Sequence, residues 1–182
     1  YYLERRDPDF EEKMQEVLVV YEEINLQNDQ ENNDNTNPKM FTVSVDEKLG
    51  VRAISTVAPD PAPKTGKHKS VTRDYDYKRM GTVSFLASFD LHNGKIIAKV
   101  HDRHRSREFV KLLKEFASHY HKESIFRIIL DIHSAHISKE TIEYLEFRPG
   151  RFIYLHTPKH GAWLNLIESL FSKMARIFLH HI

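Results

Sequence analysis

The chain of 182 residues contains no cysteine, which excludes a disulfide scaffold, a Cys-ligated zinc site, an iron–sulfur cluster and a cysteine nucleophile. Its six glycines never approach the spacing of a dinucleotide-binding or P-loop motif, and no G-x-S-x-G elbow occurs. No apolar run approaches the ~20 residues that a membrane span needs, and no signal-peptide pattern follows Tyr1. These absences predict a piece of a longer soluble, cytoplasmic-type protein with no membrane partner.

Charge is unevenly distributed along the sequence, although the net charge is only +1. Residues 1–50 carry 5 basic and 13 acidic side chains, a net charge of −8. Residues 51–125 carry 15 basic and 8 acidic side chains, a net charge of +7. A basic middle section is typical of a surface that faces a polyanion, and an ordinary solvated face is the alternative.

The N-terminal 39 residues are predicted to form a helix and a linker that precede the main domain, residues 40–182. Residues 8–24 have apolar side chains at helical spacing, and residues 25–39 are polar, Asn-rich and without periodicity. The apolar face of this helix is predicted to consist of Phe10, Met14, Val17, Leu18 and Tyr21.

The remaining pattern predicts an α/β fold with a mixed five-stranded sheet and helices on both faces. Ser106 and Ser138 are the expected N-caps of the first two helices of this domain. Trp163, Leu166, Ile167 and Leu170 begin the apolar stripe of the last one. Strands are predicted over 41–47, 82–90, 95–101, 125–131 and 152–155, and helices over 106–120, 138–147 and 163–178.

Three acidic residues occupy positions where a carboxylate is costly. Asp46 lies inside a predicted strand, Asp131 ends the apolar run that should form a central strand, and Glu168 lies at the edge of a helix's apolar stripe. A carboxylate near a core needs a partner, a hydrogen bond or a metal. Each acid alone is explained by partial exposure or by a salt bridge, but three on three elements predict one shared cation site. Mg²⁺ prefers such hard oxygen ligands, and two ions can clamp a phosphodiester.

Histidine pairs offer a competing metal site. His133 and His136 follow Asp131 closely, and His119 and His121 end a predicted helix. A pair without further ligands is more typical of surface or capping residues than of zinc binding. We therefore expect His133 and His136 to orient the Asp131 loop or to contact phosphate.

Several motifs identify a family. The chain resembles bacterial insertion-sequence transposases of the mariner-like superfamily, which carry a DDE catalytic triad on an RNase H-like fold. The resemblance runs from Arg5 nearly to the end of the chain, and the block from Thr157 to Glu168 is its most specific part. The other motifs lie at 44–48, 78–82, 102–109 and 130–136.

The resemblance implies a function and its residues. The family's triad falls on Asp46, Asp131 and Glu168, which would bind two divalent cations, Mg²⁺ or Mn²⁺. Water would cut double-stranded DNA at the transposon end, and the freed 3′-OH would attack target DNA. A homodimer is compatible with this activity.

Further residues are expected around this triad. Asn165, one turn before Glu168, is a candidate partner of the metal ligands. Lys159 and His160 are expected to contact phosphate, with a plain surface role as the alternative. The basic segment 56–79, which includes Lys64, Lys67 and Lys69, is expected to bind the DNA backbone.

The chain departs from the family at two positions. Ile132 stands where the family usually has Asn, and Met80 stands where it usually has His. The family's N-terminal helix-turn-helix region and C-terminal tail are also missing. Two alternatives therefore remain beside an active transposase core. One is an impaired remnant that only binds DNA or self-assembles, and the other is a cellular RNase H-like nuclease.

Overall fold

The computed structural model describes residues 7–29, 40–59, 62–67, 69–70, 76–103 and 105–177. Five strands and four α-helices are formed by these residues, together with a short 3₁₀ helix at Ala162–Leu164. The elements are α1 (Phe10–Asp29), β1 (Met40–Thr56), β2 (Tyr77–Asp90), β3 (Ile96–His101), α2 (Ser106–Ser118), β4 (Ile125–Leu130), α3 (Lys139–Glu146), β5 (Phe152–His156) and α4 (Ile167–Ile177). Among these helices none is long and apolar enough to cross a lipid bilayer.

The five strands form one sheet in the order β3-β2-β1-β4-β5. The first three strands are antiparallel neighbours, whereas β4 runs parallel to both β1 and β5. The tight turn at 91–95 joins β2 to β3, and a helix joins each later strand to the next. The predicted mixed five-stranded sheet is therefore confirmed.

One face of the sheet is covered by α2 and α3. The alternate residues Val43 and Val45 of β1 and Ile128 and Leu130 of β4 point to this face, as the two-residue period of a strand requires. They pack against the apolar stripe of α2, which includes Phe109, Leu112, Leu113 and Phe116.

The opposite face is covered by α1 and α4. Val17, Val20 and Ile24 of α1 pack with Ile129 of β4 and with Leu164. Ile167 and Phe171 of α4 pack against Ala87 in the middle of β2. Helices therefore lie on both faces, and α1 contributes to the core of the same sheet.

The N-terminal helix differs from its prediction in length and in orientation. It continues to Asp29, so residues 25–29 of the predicted linker are helical, while residues 30–39 lie outside the described part. Leu18 faces solvent, and Val20 and Ile24 are buried in its place. Residues 17, 20 and 24 lie on one face of the longer helix, and it is this face that packs against the sheet.

Two predictions about the other helices are also wrong. Arg105, not Ser106, is the N-cap of α2 and makes no side-chain cap bond, whereas Ser138 caps α3 as predicted. The predicted last helix is divided because Asn165 has an extended backbone between the 3₁₀ helix and α4. Trp163 is consequently 65% exposed and lies outside the apolar stripe of α4. Phe178, the predicted end of that helix, is outside the described residues.

Strands β1 and β2 extend beyond the sheet as a two-stranded arm. They remain paired from Val43–Asp90 out to Thr56–Tyr77, and the outer part of the ladder is mostly exposed. Residues 77–79, predicted as part of a loop, are therefore strand. The arm carries the described part of the basic segment at its far end.

Candidate active site

Asp46 and Asp131 lie side by side on neighbouring parallel strands. The last paired residues of β1 and β4 are Ser44 and Ile129, and each aspartate follows its member of that pair by two residues. Side chains two residues apart on a strand point to the same face. Asp131 directly follows the carboxyl end of β4, the part of an α/β sheet where binding sites form.

Glu168 reaches the same region through the first turn of α4. The backbone N–H of Ile167 donates to the hydroxyl of Ser44 at 3.0 Å, and that hydroxyl in turn donates to Oδ1 of Asn165. Nδ2 of Asn165 donates to the carbonyl oxygen of Val45 at 3.0 Å. The start of the helix is thus tied to the strand that carries Asp46.

The environment of Asp46 disfavours its charged form. Burial, together with the negative charges of Asp131, Glu47 and Glu168, raises the pKa of Asp46 to about 7. The backbone N–H of Glu47, which donates to Oδ1 of Asp46 at 2.7 Å, opposes this rise. Asn165 Nδ2 lies 3.4 Å from the other oxygen, Oδ2. The predicted acids therefore interact electrostatically as one group.

Asp131 is bordered by two histidines. Nδ1 of His136 lies 3.0 Å from the backbone carbonyl of Asp131, so the ring must donate its proton there. The pKa of His136 is raised by Glu47 and Asp131, which together outweigh the opposing effect of burial. The pKa of His156, at the end of β5, is lowered by burial. His136 is fully buried and cannot contact phosphate, which leaves only the loop-orienting half of its prediction.

The donor set fits divalent cations. Three carboxylates from three elements supply hard oxygen ligands, and a bound cation would offset both the burial and the repulsion that raise the pKa of Asp46. Oδ1 of Asp131 is buried and forms no hydrogen bond with any residue that the structure describes. Nδ1 of His136 lies 3.4 Å from this oxygen, but its proton is donated to the Asp131 carbonyl, so the oxygen can serve as a ligand.

The residues expected to contact phosphate lie on the turn between β5 and α4. Lys159 and His160 are exposed there, and His160 has a positive φ of 66°. The backbone N–H of Lys159 donates to the carboxylate of Asp7 at 2.9 Å. The N-terminal residues therefore hold the turn that leads to Glu168.

A cleft of about 400 Å³ adjoins the loop that follows Asp131. Basic side chains contribute to its walls, which suits a phosphate backbone. Its lining consists of Arg105, Ser106, Arg107, His133, Ser134, Ala135 and Glu140.

Lys64, Lys67 and Lys69 are exposed at the far end of the β1–β2 arm. Asp46 lies ten residues before Thr56, the last residue of β1, which corresponds to about 30 Å of extended strand. The structure therefore does not bring these lysines together with the acidic residues.

Sequence reasoning missed three residues of the site: Ser44, Glu47 and His156. A serine inside an alternating strand has no distinctive pattern, although Ser44 holds the start of α4. Glu47 is a second acid directly after Asp46, and this position is the signal that could have identified it. His156 precedes the Thr157 block, and only the pairing of Leu130 with His156 places it beside Asp131.

Comparisons with known proteins agree with this geometry. A family profile described as "DDE superfamily endonuclease" matches residues 42–182. No curated protein sequence matches the chain.

Solved structures of transposases and of a retroviral complex share the fold. "Mos1 transposase paired-end complex with left transposon end" is 10% identical, covers 96% of this chain and has a TM-score of 0.52. "Crystal structure of the mariner Mos1 paired end complex with Mg" is 13% identical, with 97% coverage and a TM-score of 0.51. The simian T-cell lymphotropic virus intasome is 11% identical, with 79% coverage and a TM-score of 0.50. This chain spans 50% of each of the two Mos1 chains and 40% of the viral one.

Proposed function

The chain belongs to the DDE superfamily endonucleases, and on that basis we propose that it is the catalytic core of a transposase. Its substrate is double-stranded DNA. It cuts the phosphodiester at the end of a mobile element and joins the freed 3′-OH to target DNA. The fold is that of the Mos1 transposase structures and the viral intasome.

One observation carries this proposal. Ser44 and Ile129 are paired, Asp46 lies two residues after Ser44, and Asp131 lies two residues after Ile129. Glu168 is close enough to raise the pKa of Asp46. An RNase H-like enzyme requires this convergence of carboxylates at one edge of the sheet. Three acids with 84 and 36 residues between them in the sequence lie together here, as ligands of shared cations must.

Asp46, Asp131 and Glu168 are the residues that would hold the divalent cations. Bound cations supply stabilisation of the attacking and leaving oxygens of the phosphodiester. We take the ions to be two Mg²⁺, since the ligands are all hard oxygens and one similar Mos1 complex is described with Mg. No tyrosine nucleophile is needed, because water and then the 3′-OH attack the phosphorus directly.

The surrounding residues keep the carboxylates in place. The Glu47 N–H fixes one oxygen of Asp46, while Asn165 borders the other. His136 holds the backbone of Asp131 through its carbonyl. These contacts pre-organise the ligands so that little rearrangement accompanies the reaction.

The surroundings of the site suit a DNA duplex. Arg105 and Arg107 line the cleft beside the Asp131 loop, and Lys159 and His160 extend the surface on the other side of the strand ends. The proposal includes target DNA, a homodimer as the working assembly, and a bacterial insertion sequence as the source. In a bacterial cell the protein would act in the cytoplasm, at the nucleoid.

A nicking assay on supercoiled plasmid tests the proposal. The protein should nick DNA with Mg²⁺ or Mn²⁺ and not with EDTA. Asp46→Asn, Asp131→Asn and Glu168→Gln should each abolish nicking, since each removes a metal ligand. Glu143→Gln, an exposed acid on α3, is the matched control and should nick at the wild-type rate.

Two results would contradict the proposal. Undiminished nicking by the folded Asp131→Asn variant would mean that another site cuts the DNA. A wild-type protein that binds DNA without nicking it under any metal condition would instead be the impaired remnant.

A further inference from the structure

A second group of metal-binding side chains lies next to the three carboxylates. Glu47, His133 and His136 each place one ligand atom within 4.8 Å of the others. Glu47 follows Asp46 on β1, and both histidines lie in the loop that follows Asp131. None of these three residues belongs to the triad.

The spacing of these atoms is that of ligands around an ion. Nδ1 of His133 lies 3.5 Å from one carboxylate oxygen of Glu47, and Nε2 of His136 lies 3.7 Å from the other. The same Nδ1 of His133 accepts a 3.3 Å hydrogen bond from the backbone N–H of Ala135, which a bound ion would have to replace. Both distances to Glu47 exceed those of charge-assisted hydrogen bonds, which are about 2.7–2.9 Å. Two ligands bound tetrahedrally to one Zn²⁺ at about 2.0–2.1 Å lie about 3.4 Å apart, close to both observed distances.

The orientation of His136 supports the same interpretation. Its Nδ1 donates to the carbonyl of Asp131, which leaves Nε2 as the atom that faces Glu47. Nε2 is fully buried and forms no hydrogen bond with the described residues. Metal-binding histidines usually donate the second ring N–H to a carbonyl or carboxylate in this way.

We propose that Glu47, His133 and His136 bind one transition-metal ion of the Zn²⁺ class, in a site separate from the carboxylates that hold Mg²⁺. Two imidazoles and one carboxylate favour Zn²⁺ over Mg²⁺, which prefers oxygen ligands only. His133 is partly exposed, so the ion has an entry path and a place for water as its fourth ligand.

The bound ion connects the two strands of the catalytic site. It would bridge the residue after Asp46 to the loop after Asp131. Binding of the ion should therefore raise the Tm of the protein, because its ligands lie far apart in sequence and come together only in the folded chain.

Isothermal titration with ZnCl₂ tests the proposal, at about pH 8 and with Mg²⁺ in excess to occupy the carboxylate site. The expected result is one Zn²⁺ per chain and a higher Tm. His133→Asn and Glu47→Gln should each weaken Zn²⁺ binding at least tenfold, whereas Glu168→Gln should leave it unchanged. His133 is the preferred position because His136 is fully buried and its replacement endangers folding.

A double variant, His119→Asn with His121→Asn, is the matched control for binding to exposed histidines, and it should retain the Zn²⁺ site. Equal Zn²⁺ binding by the wild type and the folded His133→Asn variant would overturn the proposal, as would loss of Zn²⁺ in Glu168→Gln. Absence of any Zn²⁺ binding would also overturn it and identify the cluster as ion pairs. These results are independent of the nicking assay, because Glu168→Gln should lose nicking and keep Zn²⁺.

Discussion

The hydroxyl of Ser44 accepts a 3.0 Å hydrogen bond from the backbone N–H of Ile167, which lies 123 residues further along the chain. The first N–H groups of a helix have no partner within the helix. Ser44 therefore caps α4 from a different element, and the bond sets the position of Glu168 relative to Asp46. The position of Glu168, one of the three proposed metal ligands, thus depends on a strand residue that carries no charge.

Ser44→Ala should lower both stability and activity. The variant leaves the buried Ile167 N–H and the Asn165 side chain without this partner, at a cost of about 1–3 kcal/mol. Displacement of Glu168 should reduce the nicking rate by roughly tenfold to a hundredfold. Urea unfolding and nicking rates measure the two effects.

The control is Ser88→Ala, which removes a similarly buried hydroxyl on β2 that bonds to the carbonyl of Ile97. This variant should be destabilised but should nick at the wild-type rate. A Ser44→Ala protein with normal nicking would show that the bond does not position Glu168.

Without divalent cations, the stability of the protein should fall as the pH rises from about 4 to about 7. The folded state holds the proton of Asp46 up to a pKa of about 7, while an unperturbed carboxyl releases it near 3.8. The native state therefore binds more protons in this window, and the free energy of unfolding decreases with pH. The decrease should amount to a few kcal/mol.

Asp46→Asn should remove most of this pH dependence and should be more stable than the wild type at pH 8 in EDTA. Urea unfolding at pH 4.5 and pH 8 measures the difference. A wild type and variant with the same slope would mean that Asp46 is ionised in the apo protein. Adding Mg²⁺ should stabilise the wild type at pH 8 and not the variant.

Asp7→Ala should destabilise the protein and slow nicking. Hydrogen bonds from the Lys159 backbone and the Lys13 side chain hold the pKa of Asp7 at about 2. Its stabilising effect is present above the ordinary carboxyl pKa and disappears as the pH falls from about 4 to about 2. At pH 7 we expect a Tm lower by roughly 3–6 °C.

Asp9→Ala is the control, because Asp9 is exposed and lies 3.7 Å from Lys13 without contacting Lys159. Thermal unfolding of both variants at pH 7 and pH 2.5 measures the contribution of Asp7. An Asp7 variant with the Tm of the Asp9 variant would show that the link to Lys159 does not stabilise the fold.

Replacing Lys64, Lys67 and Lys69 with Ala should weaken DNA binding and flatten its salt dependence. Each phosphate contact adds about 0.9 to the slope of log K against log salt, so the slope should fall by up to roughly 3. The control replaces Lys111, Lys122 and Lys173, which are exposed on other parts of the surface. Equal slopes for the two triple variants would show that the arm does not contact DNA.

Ile132→Asn should increase nicking by about tenfold or more. Ile132 is 55% exposed, so its side chain is not part of the buried core that contains Ile128 and Leu130. An amide next to Asp131 can bond to substrate or to a neighbouring carboxylate, and such a bond to a charged group contributes about 1.5–3 kcal/mol. The exposed position also means that the Tm should not fall. An unchanged nicking rate with an unchanged Tm would refute a catalytic role for this position.

Much of the sheet and its helices follows from the sequence, because each strand and helix has its own periodic signal. Strand β1 is predicted because one of its faces is buried and its sequence alternates, and β4 is predicted because both of its faces are buried and its sequence is continuously apolar. The break between the 3₁₀ helix and α4 at Asn165 cannot be predicted from the sequence, since Trp163 and Leu166 continue the helical spacing. The backbone leaves the helix there because the Asn165 side chain bonds to β1, a contact outside any local window.

The three carboxylates were predicted from the cost of placing acids near a core, and the structure brings them together. Glu47 and Ser44 were missed because their importance depends on register and on the docking of α4. Leu18 was misplaced for a related reason. A helix with apolar residues on two adjacent faces has no local feature that decides which face meets the sheet.

The docking of α1 on the sheet has a consequence for the order of folding. The hydroxyl of Tyr21 donates to the carbonyl of Leu164, 143 residues later, and Asp7 bonds to Lys159, 152 residues later. During synthesis at about 5–20 residues per second, the N-terminal helix emerges well before its binding surface exists. The nascent chain therefore exposes Val17, Val20 and Ile24 until their partners Ile129 and Leu164 have been made. Closing such long loops also slows folding, so refolding of these residues should be slow for a chain of this length.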